Sequence, residues 1–129
     1  MNSTIDDTDS HASYSVDPAW NTGVWAQQNP QPLFGTNHGT PNPGATASFT
    51  FNGTAIYVYG YKWSDHGYRD ISMDGQSAIR CDGRTGAQGS RSLVYWADGL
   101  MQGVHEITFR HTGTQGQYLN LDYFIVTSE

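Results

Sequence analysis

The chain predicts an all-β fold, an antiparallel β-sandwich of the jelly-roll type with about eight or nine strands, and three observations carry that prediction. Apolar and polar residues alternate with a period of two from residue 45 to the end, the pattern of strands buried on one face. Asn52-Gly53 and Asp74-Gly75 interrupt the alternation with the dipeptides of tight turns. Fifteen glycines, eight tyrosines and four tryptophans accompany a charged fraction of only 14%, a composition that suits strands and turns rather than helices. No segment sustains a period of 3.6. The 129 residues fit one domain, 1–129, long enough to bury a core of its own.

Taken in order, two short strands, Thr4 to Asp6 and Ser13 to Val16, come first. The stretch from Asp17 to Gly44 holds all five prolines. Proline cannot donate to a sheet ladder, so a mostly irregular path is expected there; Trp20, Trp25, Leu33 and Phe34 give it something to pack with. Ala45 to Phe51 puts Ala47, Phe49 and Phe51 on one face, and Asn52-Gly53 reads as a hairpin turn into Thr54 to Lys62. That strand sets Ile56 and Val58 against Tyr57, Tyr59 and Tyr61. Tyr68 to Met73 and Gln76 to Cys81 flank the second turn, and Arg91 to Ala97, Val104 to His111 and Tyr118 to Thr127 complete the series. The expected core is Phe49, Ile56, Val58, Ile107, Phe109, Leu121 and Tyr123.

Successive connections of antiparallel strands alternate between the two ends of a sandwich. The connections at 52–53, 74–75 and 98–102 then share one end and are plain turns. Those at 17–44, 63–67, 82–90 and 112–117 share the other, and carry Trp20, Trp25, His38, Trp63, Asp65, His66, Arg84, Gln88 and Gln115. Long loops of aromatic and polar residues gathered on a rigid scaffold are how such folds build sites. Sugar rings stack their C–H faces on aromatic side chains and offer hydroxyls to planar polar groups. Trp63, in a polar turn, and Trp25 are therefore the expected stacking platforms, with His66, Arg69 and Arg84 as polar partners. Asn120 alternates with Leu119 and Leu121, which aims it away from the core near the same end. Trp96 lies toward the short-turn end and reads as packing against a sheet face; His105, in phase with Ile107 and Phe109, reads as a satisfied, buried histidine.

Charge excludes several partners. The formal charge is −6 with a single lysine, Lys62, so no basic stripe exists for nucleic acid or for an anionic membrane surface. Nor is there an apolar run of signal-peptide or membrane-spanning length. Cys81 is the single cysteine, so the core and not an internal disulfide must supply stability. No nucleophile elbow, phosphate loop or His-Glu-x-x-His zinc motif occurs, and the expectation is a protein that is not an enzyme and requires no cofactor. One metal-like feature stands out. Asp6-Asp7-Thr8-Asp9 clusters acids beside the first strand, and pairing of the terminal strands would bring Asp7 to Asp122, an oxygen-rich pair suited to a structural calcium.

The run Ala47-Ser48-Phe49-Thr50-Phe51-Asn52-Gly53-Thr54-Ala55-Ile56-Tyr57-Val58-Tyr59-Gly60 and the ending Leu119-Asn120-Leu121-Asp122-Tyr123-Phe124-Ile125-Val126 resemble the galactose-binding-like jelly-roll superfamily, which includes discoidin domains and many carbohydrate-binding modules. With Asp65-His66-Gly67 and Gly103-Val104-His105, the chain is similar to a group of basidiomycete fungal extracellular domains of that fold. The resemblance implies a ligand at the loop end, a sugar contact at Asn120, and Asp122 joining the N-terminal strand around calcium. The Glu-Ala-Glu opening of such modules is replaced here by Asp6 and Asp7.

The expected function is a lectin or carbohydrate-binding module for a neutral glycan or cell-wall polysaccharide, secreted or at the cell surface, though nothing in the residues separates this from a cytosolic location. A protein-interaction or structural wall domain and an accessory domain of a larger enzyme are the alternatives. An edge strand bearing tyrosines also offers a route to a homodimer.

Overall fold

The computed structural model describes residues 1–23, 37–62, 66–83 and 90–129. These residues form twelve strands: β1 (Asn2–Asp6), β2 (Ala12–Tyr14), β3 (Asn21–Gly23), β4 (Asn37–Thr40), β5 (Thr46–Gly53), β6 (Ala55–Lys62), β7 (Tyr68–Met73), β8 (Ile79–Asp82), β9 (Ser90–Ala97), β10 (Gly103–His111), β11 (Leu119–Leu121) and β12 (Tyr123–Thr127). Every ladder between them is antiparallel. One sheet has the order β1-β12-β6-β9, a second β2-β5-β10-β7-β8, and a small third β11-β4-β3.

The core lies between the two large sheets. Ile56, Val58, Phe124 and Val126 meet Ala47, Phe49, Phe51, Ile71, Met73, Ile107 and Phe109, and Leu119 and Leu121 close one side. Phe49 and Phe124 stack across the gap with centroids 4.2 Å apart and planes within 5°. The expected core is buried with one exception: Tyr123 is only half-buried. The cause is a break at Asp122 in what the alternation reads as one strand, Tyr118 to Thr127. Asp122 donates its amide to Tyr59 O, and the phase shifts there, so Phe124 rather than Tyr123 points inward.

Other expectations are corrected in the same way. Asn52-Gly53 is no hairpin: β5 pairs with β10 and β2, β6 with β12 and β9, and the turn carries the chain from one sheet to the other. Gly53 is required because a Cβ there would overlap the Thr127 carbonyl. Asp74-Gly75 does turn a hairpin, with φ of 53° and 73°, joining β7 to β8. The proline-rich stretch contributes β3 and β4, and Val16 lies outside any strand and is exposed. Trp96 is 59% exposed on the outer face of its sheet, not packed against it. The strand count exceeds the expected eight or nine because short segments at the sheet margins still find ladder partners.

The two ends differ as the loop lengths imply. At one, Thr54 N donates to Thr127 O, Leu100 N to Thr54 O and Asp74 N to Glu106 O. At the other, Gly44 N donates to His111 O, Thr112 N to Tyr68 O, Gly116 N to Pro41 O and Gly67 N to Tyr118 O.

Candidate functional site

The loop-rich end is built on the segment 117–120. His66 bridges to Tyr118, its ring tilted 6.0 Å from the Tyr118 ring. Gly67 lies so close to Gln117 that a Cβ would overlap that side chain, while Gln117 Oε1 accepts from Thr114 N at 2.9 Å. His111 Nε2 donates to Gln117 O. Across the β7–β10 ladder from His111 stands Arg69, 1% exposed and packed against Gly83, where any Cβ would overlap the guanidinium. Burial holds Arg69 below its ordinary pKa, at about 10. None of its three nitrogens has a hydrogen-bond partner among the described residues, an arrangement that is costly for a charged donor.

Of the six residues expected to bind ligand, Trp25, Trp63 and Arg84 lie outside the described residues. His66, Arg69 and Asn120 are all at the loop-rich end and all buried. Asn120 does not project away from the core. It is 3% exposed, its Oδ1 accepts from Tyr61 N at 3.2 Å, and its carbonyl sits where a Cβ on Gly60 would be. The third sheet causes this: β11 leaves β12 at Asp122 to pair with β4, Asn120 opposite Gly39.

The acids do come together. One carboxylate oxygen each of Asp6, Asp7 and Asp122 lies within 4.8 Å of the others, and Asp7 and Asp122 are fully buried. Antiparallel pairing of β1 with β12 delivers them, and Asp7 N donates to Asp122 O at 3.1 Å. His38 Nδ1 donates to Asp7 Oδ2 at 2.6 Å. The His38 ring stacks on Tyr14, centroids 3.7 Å apart, and the Tyr14 hydroxyl donates to Asp7 O at 2.7 Å. Burial pushes the Asp7 carboxyl up to about 6, against the pull of His38. An all-oxygen set of three carboxylates suits a hard divalent cation such as calcium. Reasoning from sequence missed Asp6 as the third acid of the cluster and His38 as the partner of Asp7. Asp6-Asp7 adjacency was a signal for the first. For His38 there was none, since it reaches Asp7 only through the third sheet.

No family model matches the chain. The chain is 36% identical over 89 residues to an A type blood N-acetyl-alpha-D-galactosamine deacetylase of Flavonifractor plautii, a match over 67% of this chain and 11% of that protein. Among solved structures, a two-domain esterase active on acetylated mannans, co-crystallized with mannopentaose, superposes with a TM-score of 0.74 at 19% identity over 99% of this chain and 36% of that one. A family 35 carbohydrate binding module from Clostridium thermocellum superposes with a TM-score of 0.67 at 16% identity over 100% of this chain and 99% of that one. The chain thus spans about a tenth of the curated relative and about a third of the esterase, but the whole of the binding module. No helix among the described residues is long and apolar enough to cross a membrane. By its fold, the chain is an antiparallel β-sandwich of the jelly-roll type.

Proposed function

We propose that this chain is a carbohydrate-binding module that holds a neutral glycan at the loop-rich end of the sandwich and performs no reaction on it. The observation that carries the reading is the asymmetry of the two ends: His66, Arg69, His111 and Asn120 are collected beneath the long connections, while short turns close the opposite end. Likeness along its full length to a carbohydrate binding module supports it, and the net charge of −6 favours an uncharged ligand. Trp63 and Trp25 are assigned as stacking platforms and Arg84 as a hydroxyl partner, from their places in the loops. His66, Arg69 and Asn120 are buried and are assigned a supporting role rather than contact with the glycan. A glycan array tests the reading through discrete hits on neutral glycans. Trp63→Ala should then weaken binding to the best hit by about 2 kcal/mol or more, as loss of an anchor does. A blank array would turn the assignment to a protein-interaction domain.

The small share of the deacetylase and esterase that the chain spans favours a further statement, that the module serves as the binding part of a larger glycan-active enzyme outside the cell. We also assign a structural calcium to Asp6, Asp7 and Asp122, supported by three carboxylate oxygens within 4.8 Å of one another, two of them on fully buried side chains. Chelation should lower the melting temperature, since a ligand of the folded state is removed, and Asp122→Asn should abolish the chelator's effect. An identical melting temperature with chelator and with excess calcium would remove the ion from the account.

A further inference from the structure

Cys81 and Arg69 stand opposite each other in the β7–β8 ladder, on the face of the sheet that turns to the core. β8 is the edge strand of that sheet, and Cys81 is only partly buried where it packs against the core. Arg69 is 1% exposed, and its Nε, Nη1 and Nη2 lack a hydrogen-bond partner among the described residues. Its guanidinium fills the place where a Cβ on Gly83 would stand. Gly83 follows Cys81 by two residues, about 7 Å along the same face of an extended chain. The Arg69 side chain therefore runs from Cys81 toward Gly83 and lays its charge along the flank of the thiol.

We propose that Cys81 is a reactive thiol, held as a thiolate by the Arg69 guanidinium, and a modification site for low-molecular-weight disulfides. The cause lies in Arg69. A guanidinium keeps its proton in a protein, and a buried charge left without a partner is costly. Ionisation of the thiol across the ladder supplies the missing anion. Burial lowers Arg69 to about 10, and the Cys81 charge leads the influences that raise it again, ahead of Asp82.

The other groups around Cys81 do not displace this pairing. Asp82 is exposed and pairs with Tyr68, so alternation puts it on the outer face of the sheet. Arg80 shares that face, bound to Asp70 at 2.9 Å. From β9, Tyr95 feels the thiol: burial first, and then the Cys81 charge, push its hydroxyl up. From β10, His111 continues the row beyond Arg69. Partial burial and an S–H bond of 3.9 Å to the Ile79 carbonyl favour the neutral thiol. A weak sulfur donor at that distance opposes ionisation less than an adjacent buried cation favours it.

The thiolate is the nucleophile in disulfide exchange. Cys81 Sγ attacks one sulfur of the small disulfide, and a new S–S bond forms as the old one breaks. The second half departs as a thiolate and takes a proton from water. The disulfide is itself the oxidant. The edge strand leaves a small reagent room to approach.

The test exploits the fact that Cys81 is the single cysteine of the chain, so all thiol chemistry reports on it. Alkylation of the native chain by iodoacetamide, a neutral reagent, is followed from about pH 5 to 10, around the ordinary thiol value of about 8.5. The wild-type rate should rise through a midpoint at least one unit below that value. Arg69→Lys should stay close to wild type. Arg69→Met should restore the ordinary midpoint and slow the reaction at pH 7 about tenfold, the change in thiolate population that one pKa unit makes. Oxidised glutathione should add one glutathionyl group to the native chain, read by intact mass. The proposal is overturned by a wild-type midpoint less than one unit below the ordinary value. It is equally overturned if the urea-unfolded chain takes the glutathionyl group and the native chain does not. A folded Arg69→Met with an unchanged midpoint overturns it too; should that variant fail to fold, the wild-type profile and Arg69→Lys decide. None of these readings involves a glycan, so they are independent of the assignment at the loop-rich end.

Discussion

The two ends of this sandwich place their polar groups in opposite ways. At the short-turn end they are satisfied at the surface. His105 joins Asp74 Oδ2 at 2.6 Å and Met101 O at 2.7 Å, Asp74 Oδ1 accepts from Glu106 N at 2.8 Å, and Gln102 donates to Asn52 at 2.8 Å. At the loop-rich end they are buried: Arg69, His66, His111 and Asn120 each have less than a twentieth of their surface exposed. Burying polar groups costs free energy that merely closing the end of the sandwich would not require. The short-turn end is therefore an efficient stopper, and the loop-rich end carries a desolvation cost that the short turns avoid.

That contrast presumes one continuous core beneath both ends, and the largest expected effect tests it. Phe109 is 1% exposed, tilted against Phe124 with centroids 6.3 Å apart, in the second half of β10. Phe109→Ala should destabilise the domain by about 3–5 kcal/mol, measured by denaturant unfolding, in a single transition. Two separated transitions would mean that the ends unfold independently.

A pair of glycines compares the ends directly. At Gly60 a new Cβ would overlap the Asn120 carbonyl, whereas at Gly103, by the short turns, it would meet nothing within 4 Å. Gly60→Ala should cost about 1–3 kcal/mol, as overpacking does, while Gly103→Ala should stay within about 0.5 kcal/mol of wild type. Equal costs would show that the third sheet is not held tightly to β6.

How much of this the sequence disclosed depends on whether the cause was local. Period-two alternation placed Phe49, Ile56, Val58, Ile107 and Phe109 correctly, because strand geometry alone decides which face a residue occupies. Asp74-Gly75 was equally legible, as its backbone angles are a property of those two residues. Tyr123 and Asn120 were misplaced for one shared reason. A long-range pairing of β11 with β4 interrupts the last strand at Asp122, and nothing within that strand announces a partner 80 residues earlier. The junction of Asp7 with Asp122 followed from pairing the chain's two ends. His38, which reaches Asp7 through the third sheet, did not. Trp25, Trp63 and Arg84 rest on sequence position.

Asn120 sharpens the comparison on a smaller scale. Asn120→Ala leaves the Tyr61 amide without its 3.2 Å acceptor in a buried setting, an expected loss of about 1–3 kcal/mol. Asn52 is exposed, and Asn52→Ala should change stability by less than about 0.5 kcal/mol. If Asn120→Ala weakens glycan binding as well, the effect should shrink when binding is measured well below the melting temperature, because the residue supports the site without touching sugar. Undiminished loss at low temperature would return Asn120 to the ligand itself.

The smallest effect belongs to the stopper. Asp74 is held below the usual carboxylate value, first by its hydrogen bond from His105 and then by that from the Glu106 amide. His105 is held above the usual imidazole value, first by Asp74 and then by the Met101 carbonyl. A lowered acid contributes stability that is present above its unfolded pKa of 3.8 and lost as pH falls through the folded value. A raised histidine contributes stability that is complete below its unfolded pKa of 6.5 and lost as pH rises through the folded value. The pair therefore stabilises most between those two limits. Asp74→Asn removes the charge while keeping a residue that tolerates the left-handed φ of 53°. Its melting temperature should fall below wild type most at pH 4 to 6.5, and the two curves should converge on either side. The gap should be modest and narrow with added salt, because the pair is partly exposed. A gap that is constant with pH would mean that the turn's backbone, not the ion pair, sets the stability of this end.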